Sequence, residues 1–270
     1  RFLPPYFIGG IMKDRIGEVN ISNEGYKMKI VKYNKATDII IEFQDEYKAR
    51  CCVSYNNFKM GRVSNPYHKN VYDIGYKGVG NYKVSVNNKA TKCYEIWIKM
   101  LQRCYDPYYI NKNLTYIDCY VCDEWLCFQN FAEWFYKNYY ECNNERMHLD
   151  KDILIKGNKV YSPKTCIFVP QRINELFTKR QNYRGEYPIG VTYNKNSNKL
   201  YVRCCVYEDN KNKRIFLGSF STDKVDQAFY RYKKFKENYV KRVAEEYYQD
   251  DLIPEELYWA MYRWDVDIND

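Results

Sequence analysis

The sequence predicts an α+β protein built from several small folded parts, and three observations lead to this prediction. Short β-rich runs separated by turn residues occupy about residues 15–65, for example Asp38-Ile-Ile-Ile-Glu-Phe43. Hydrophobic residues then recur at helical spacing, and a strand–loop–strand–helix order follows up to about residue 180. From about residue 186, three further strand-like runs precede one long helical segment. Small separate cores suit a chain of 270 residues better than one large core.

These patterns divide the chain into four parts. They are a β-rich N-terminal domain (1–90), a central strand–strand–helix domain (91–180), a three-stranded sheet with one helix (186–248) and an acidic tail (249–270). In the third part the predicted strands are Gly190 to Tyr193, Leu200 to Tyr207 and Arg214 to Leu217. A helix is predicted from about Lys224 to Tyr248, with a hydroxyl of Ser221 or Thr222 capping its first turn.

Charge is distributed unevenly along the chain. The formal charge is +9, yet the segment from Glu245 to Asp270 carries −8, so the remainder carries +17. A strongly basic body attracts polyanions through counterion release and electrostatic steering. The acidic tail is expected to shield that body, to bind a basic partner or to form a solvated helix face, and the sequence leaves all three open.

Composition and cysteine usage narrow the class of protein. No apolar stretch approaches the roughly 20 residues that a membrane-spanning helix requires, and residues 1–11 lack the pattern of a signal peptide. Eleven cysteines without a secretion signal indicate a reducing, cytoplasmic location. Adjacent cysteines, Cys51-Cys52 and Cys204-Cys205, are predicted to be strand residues facing opposite ways. The lone Cys119–Cys122 pair has no second pair beside it, so structural zinc is not expected.

The run Met147-His-Leu-Asp-Lys-Asp-Ile153 holds the main catalytic candidates. In a strand, alternation would place His148, Asp150 and Asp152 on one face. One imidazole and two carboxylates can bind a hard divalent metal, Mg²⁺ or Mn²⁺, and activate water. Asn158 in the following loop and Asn174 in the following helix can supply amide oxygens. The alternative interpretation is that His148 and Asp152 make core hydrogen bonds and ion pairs with Arg146 or Lys151.

Here a specific resemblance appears. The segment resembles the phage HNH-type endonuclease family, whose ββα-metal (His-Me finger) motif has a similar order of residues. The matching residues are Leu149-Asp-Lys-Asp152, Gly157-Asn158, Tyr161-Ser-Pro163, Cys166, Phe168, Gln171 and Asn174. Upstream matches are Trp97, Met100, Arg103-Cys-Tyr-Asp-Pro107, Tyr116, Val121-Cys122, Glu124-Trp125, Phe128 and Phe131.

This resemblance implies metal-dependent hydrolysis of a phosphodiester. It implies His148 as general base or ligand, with Asp150 and Asn158 also in the catalytic set. Asp150, Asp152 and Asn174 are the implied metal ligands. The sequence departs from the family where Asn174 stands in place of a second histidine on the final helix. A catalytically inactive DNA-binding or regulatory relative therefore stays open as an alternative.

The C-terminal part resembles the ethylene-response-factor-type (APETALA-like) DNA-binding domain. The marks are Gly190-Val191, the Leu217-Gly-Ser-Phe220 step and the Ala228-Phe-Tyr-Arg-Tyr232 helix start. In that family a three-stranded sheet lies in the major groove and its outward side chains contact DNA. The predicted outward residues here are Tyr193, Lys195, Lys199, Tyr201, Arg203, Lys213 and Arg214.

Together the two resemblances imply a phage-type, DNA-binding HNH-family endonuclease that acts on double-stranded DNA in the cytoplasm, which is that of the bacterial host if the protein is phage-encoded. Two alternatives stay open beside the endonuclease. One is the inactive DNA-binding relative, and the other is an anti-defence inhibitor that uses this scaffold to bind a host protein. No membrane partner is expected.

Overall fold

A computed structural model describes residues 15–178, 186–208 and 211–268, so residues 1–11 lie outside the described ranges. The fold is α+β, with several small antiparallel sheets and intervening helices. The described residues form two compact units. The first unit runs to Ile117 and includes Val121–Glu133, and the second contains Asp118–Tyr120 and the residues from Trp134 onward.

The first unit begins with a four-stranded antiparallel sheet in sequential order. Its strands are β1 (Val19–Ile21), β2 (Lys27–Lys35), β3 (Asp38–Phe43) and β4 (Arg50–Val53), followed by the short helix α1 (Tyr55–Lys59). Burial alternates along β3, and Ile39, Ile41 and Phe43 are fully buried. The α1 residue Phe58 belongs to the same core. Alternation of apolar residues therefore determines which face of this sheet is covered.

The remainder of the first unit is mainly helical. A small hairpin, β5 (Ser85–Val86) and β6 (Lys89–Ala90), precedes α2 (Lys92–Tyr105) and α3 (Pro107–Lys112). Thr91 caps α2 by accepting a hydrogen bond from the backbone N–H of Tyr94 at 3.3 Å. Trp97 is fully buried, and its indole N–H donates to the Trp125 carbonyl at 2.7 Å. Short strand β7 (Tyr120–Val121) and helix α4 (Phe128–Asn138) follow in the chain.

The second unit contains the predicted strand–loop–strand–helix segment. Its elements are β8 (Met147–Asp150), β9 (Val160–Tyr161), β10 (Ile167–Pro170) and α5 (Gln171–Phe177). Strands β8 and β10 pair antiparallel, with Leu149 opposite Phe168. Phe168 is fully buried, and its ring lies 5.3 Å from that of Trp134 and 5.2 Å from that of Tyr139. This aromatic cluster holds the antiparallel pair of β8 and β10 in place, because two four-residue strands alone bury little surface.

A three-stranded antiparallel sheet follows, with β12 at its centre. Its strands are β11 (Val191–Asn194), β12 (Lys199–Glu208) and β13 (Lys211–Phe220), and the long helix α6 (Val225–Gln249) packs against it. Leu200, Val202 and Cys204 point from β12 into the core beneath α6. The predicted helix cap was wrong, because α6 begins after Lys224 with no side-chain cap at all.

The acidic tail is a folded part of the second unit. Helix α7 (Glu255–Tyr262) packs on α6 and buries Leu257 and Met261. Beyond α7, Val266 joins the core of the three-stranded sheet. Among the residues that the structure describes, no helix combines the length and apolar character needed to cross a bilayer.

Candidate functional site

The candidate catalytic residues lie at the end of β8. His148 and Asp150 are half-buried and alternate with the buried residues Met147 and Leu149, so they share one face of the strand. The strand ends at Asp150, and Asp152 therefore does not continue this face as the sequence predicted. Asp150 itself ends the strand, because its Oδ1 accepts hydrogen bonds from the backbone N–H groups of Asp152 at 2.9 Å and Ile153 at 2.8 Å.

Two carboxyl groups stand close together in this turn. Burial, followed by the charge of Asp152, raises the pKa of Asp150 to about 6. Asp152 is half-exposed, and its Oδ2 lies 3.3 Å from the ammonium group of Lys151. Lys151 is buried and also donates to the carbonyl oxygen of Asn158 at 3.0 Å. This ion pair between Asp152 and Lys151 is the one that the alternative interpretation of the segment predicted.

The two candidate amides have different surroundings. The side-chain N–H groups of Asn158 donate to the carbonyls of Lys151 at 2.6 Å and Val160 at 2.7 Å. Its Oδ1 accepts from the backbone N–H of Val160 at 3.3 Å, so the whole amide group braces the loop. Asn174 is half-buried on α5, a helix that contacts both β8 and β10.

The arrangement of these groups gives little support to a preformed metal centre. Within the described ranges, no three His, Cys, Asp or Glu side chains are grouped so that they could hold an ion. One oxygen of Asp150 is engaged by two backbone amides, and the amide of Asn158 is engaged within its loop. The turn after β8 is organised by its own hydrogen bonds and one ion pair.

The three-stranded sheet has one face against α6 and one exposed face. We call the exposed face the outer face and define it by the register of the strands. It consists of Thr192, Asn194, Lys199, Tyr201, Arg203, Cys205, Tyr207, Asn212, Arg214, Phe216 and Ser219. The only carboxylate within the described strands β11 to β13, Glu208, pairs instead with Arg242 of α6 at 2.6 Å. The outer face is therefore cationic and partly aromatic.

The register corrects two of the predicted outward positions. Tyr193 lies opposite the buried Leu200, and Lys213 lies opposite the buried Val206, so both belong to the helix side of the sheet. Directly opposed residues of an antiparallel pair share a face. Lys195 is exposed in the turn between β11 and β12, outside the strands. Lys199, Tyr201, Arg203 and Arg214 are on the outer face.

A β-bulge explains why the register could not be anticipated. The pairing shifts between Val202, which lies opposite Gly218, and Arg203, which lies opposite Phe216. Leu217 is the extra residue, and Gly218 has a φ of +137°, which favours glycine. Without the bulge Phe216 and Arg214 would point toward α6. The Leu217-Gly218 step was the available signal for the bulge, and Phe216 is an outer-face residue that was not predicted from the sequence.

Arg172 links α5 to the long helix of the same unit. Its guanidinium donates to both carboxylate oxygens of Glu246 at 2.9 and 3.2 Å. The guanidinium carbon also lies 5.5 Å from the ring centroid of Tyr207 and 5.4 Å from that of Tyr247. The Tyr247 hydroxyl in turn donates to Glu145. These contacts fix α5 relative to the helix that supports the three-stranded sheet.

The end of the acidic tail is engaged by basic residues of the same unit. Lys233 of α6 lies 2.6 Å from Asp265 Oδ1, and it also donates to the Val266 carbonyl at 2.8 Å. Lys156 donates to the Asp265 carbonyl at 2.9 Å. This segment of the tail is therefore a packed structural element.

Comparisons with protein-family models, with curated proteins and with solved structures found no match to this chain.

Proposed function

We propose that this chain binds double-stranded DNA through the outer face of its three-stranded sheet. The observation that carries the proposal is the composition of that face, where Lys199, Arg203 and Arg214 are outward and no carboxylate lies among them. Cations on an exposed surface release condensed counterions when they neutralise DNA phosphates. The opposite face is covered by α6, so the strands present this surface on a rigid support.

The shape and chemistry of the face also favour duplex DNA. Antiparallel strands are known to enter the major groove, where alternate side chains reach base edges and phosphates. Tyr201 stands beside Arg203, whose guanidinium carbon lies 5.3 Å from the tyrosine ring centroid. A guanidinium can bind guanine through two hydrogen bonds, whereas exposed lysine suits phosphate. The resemblance to the ethylene-response-factor-type domain implies the same use of the sheet.

Neighbouring basic residues on opposite faces provide the test. Arg214 is on the outer face and Lys213 is on the helix side. Affinity for a random-sequence duplex is measured by fluorescence anisotropy between about 50 and 200 mM salt. Arg214→Ala should weaken binding and reduce the slope of log K against log salt by about 1. Lys213→Ala should leave that slope unchanged. Equal slopes for both variants and the wild type would contradict the proposal.

Metal-dependent phosphodiester hydrolysis is a second proposed function. It is favoured by the antiparallel pair β8 and β10 with α5 packed against both strands, and by His148 and Asp150 on one face of β8. Supercoiled plasmid is incubated with Mg²⁺ or Mn²⁺, with chelator as the control. Nicking by the wild type that is lost in His148→Ala supports cleavage. Salt-dependent DNA binding without nicking supports the inactive DNA-binding alternative.

A further inference from the structure

The most exposed apolar ring on the outer face is opposite an arginine. Phe216 is 55% exposed, and it lies directly across from Arg203 in the antiparallel pair. Directly opposed residues have Cα atoms about 4.5–5.5 Å apart. An apolar ring and a guanidinium are thus presented side by side at the centre of the sheet.

The bulge makes this pairing specific to the fold. The extra residue Leu217 and the positive φ of Gly218 turn Phe216 outward, although its neighbours Ile215 and Leu217 face the core side. Leaving a large apolar side chain in water forgoes the stabilisation that its burial would give. The backbone conformation that exposes Phe216 also requires a glycine, so two local features place this ring outside the core.

Tyr201 holds both side chains in position. The rings of Tyr201 and Phe216 pack edge to face, with their centroids 5.4 Å apart and their planes at 72°. The same tyrosine ring lies beneath the Arg203 guanidinium. The aromatic ring and the cation therefore share one support, which limits their freedom before any ligand binds.

The chemistry of the pair matches two features of the major groove. A guanidinium binds the O6 and N7 atoms of guanine, and an apolar side chain such as phenylalanine contacts the C5-methyl group of thymine. We propose that Arg203 and Phe216 together read a guanine and a neighbouring thymine, and that Phe216 recognises the thymine methyl group. This inference rests on the proposed binding of duplex DNA by the outer face.

Replacing thymine by uracil removes only the methyl group and tests the inference directly. Duplexes enriched on the wild-type protein from a random-sequence pool are prepared with thymine or with uracil. The wild type should bind the thymine form about fourfold more tightly, the value of burying one methyl-sized group. Phe216→Ala should bind both forms equally. Tyr193→Ala is the matched control, because Tyr193 is 41% exposed on the helix side and its loss should preserve the preference.

The outcomes separate this inference from the proposed function. Equal binding of thymine and uracil duplexes by the wild type, with Arg214→Ala still weakening binding, overturns the role of Phe216 and leaves DNA binding intact. A thymine preference that survives in Phe216→Ala also overturns it. Absence of salt-dependent binding to any duplex overturns the proposed function, and the inference with it.

Discussion

Substitution of Gly190 by alanine tests how the three-stranded sheet packs on α6. Gly190 has a φ of +81°, and a Cβ at this position would lie 2.0 Å from Cδ2 and 2.3 Å from Cγ of Tyr232. Tyr232 is only 6% exposed within the core beneath the sheet, so its ring has little room to move. The Gly190 carbonyl also accepts the backbone N–H of Arg203 at 2.9 Å.

The expected cost has two contributions. An L-residue in the left-handed region costs about 1–2 kcal/mol, and forcing a methyl group into a packed core costs about 1–3 kcal/mol more. Gly157 is a matched control, because its φ is also +81° and nothing lies within 4 Å of its added Cβ. Gly157→Ala should therefore show only the first contribution. The difference between the variants isolates the clash with Tyr232.

Thermal unfolding followed by circular dichroism, at one pH and protein concentration, measures this difference. Each kcal/mol lowers the midpoint by about 2–4 °C in a unit of this size. Gly190→Ala should thus unfold about 2–12 °C below Gly157→Ala. Indistinguishable midpoints for the two variants would refute the close packing of Gly190 against Tyr232, and with it the described seating of β11 and β12 on α6.

Three further predictions concern the same unit. Gly218→Val should destabilise the unit by about 1–3 kcal/mol, because valine is strained at the positive φ of the bulge. Denaturant titration measures this loss, and unchanged stability would contradict the bulge. Arg172→Ala should lower the free energy of unfolding by about 1–2 kcal/mol in the same assay, because it removes the two hydrogen bonds to Glu246 that join α5 to α6. Glu245→Ala, next to that contact, is the control and should have little effect. Burial lowers the pKa of Lys236, because the folded state disfavours the charged ammonium form. The buried charge therefore reduces the free energy of unfolding at pH 7, and this destabilisation decreases as pH rises toward the ordinary lysine pKa of 10.5. Lys236→Met should therefore raise the unfolding midpoint at pH 7 by more than at pH 10, and a pH-independent difference would contradict this.

Much of the fold was predictable because local patterns determine it. Alternation of apolar residues predicted β3 at its observed bounds, Asp38–Phe43. The predicted long helix agrees with α6 to within one residue at each end. The cysteines of the adjacent pairs face opposite ways, with Cys204 buried and Cys205 exposed. In each case the residues of one short segment determine its secondary structure or the direction of its side chains.

The features that escaped prediction depend on single hydrogen bonds or on distant contacts. The strand at β8 ends because the carboxylate of Asp150 accepts two amides, and an alternating pattern cannot reveal this. One extra residue at Leu217 reverses the faces of the preceding part of β13, which moved Lys213 to the helix side. The packing of the tail depends on Lys233 and Asp265, which are far apart in the sequence.

Protection of cysteines by DNA tests the central claim most directly. Cys205 is exposed on the outer face opposite Arg214, and Cys52 is an exposed thiol on β4 of the first unit. Alkylation of each by N-ethylmaleimide is followed by peptide mass spectrometry, with and without saturating duplex DNA. We predict that DNA slows the alkylation of Cys205 several-fold and leaves the rate at Cys52 unchanged. Alkylation of Cys205 at the same rate in both conditions would contradict binding of DNA by the outer face.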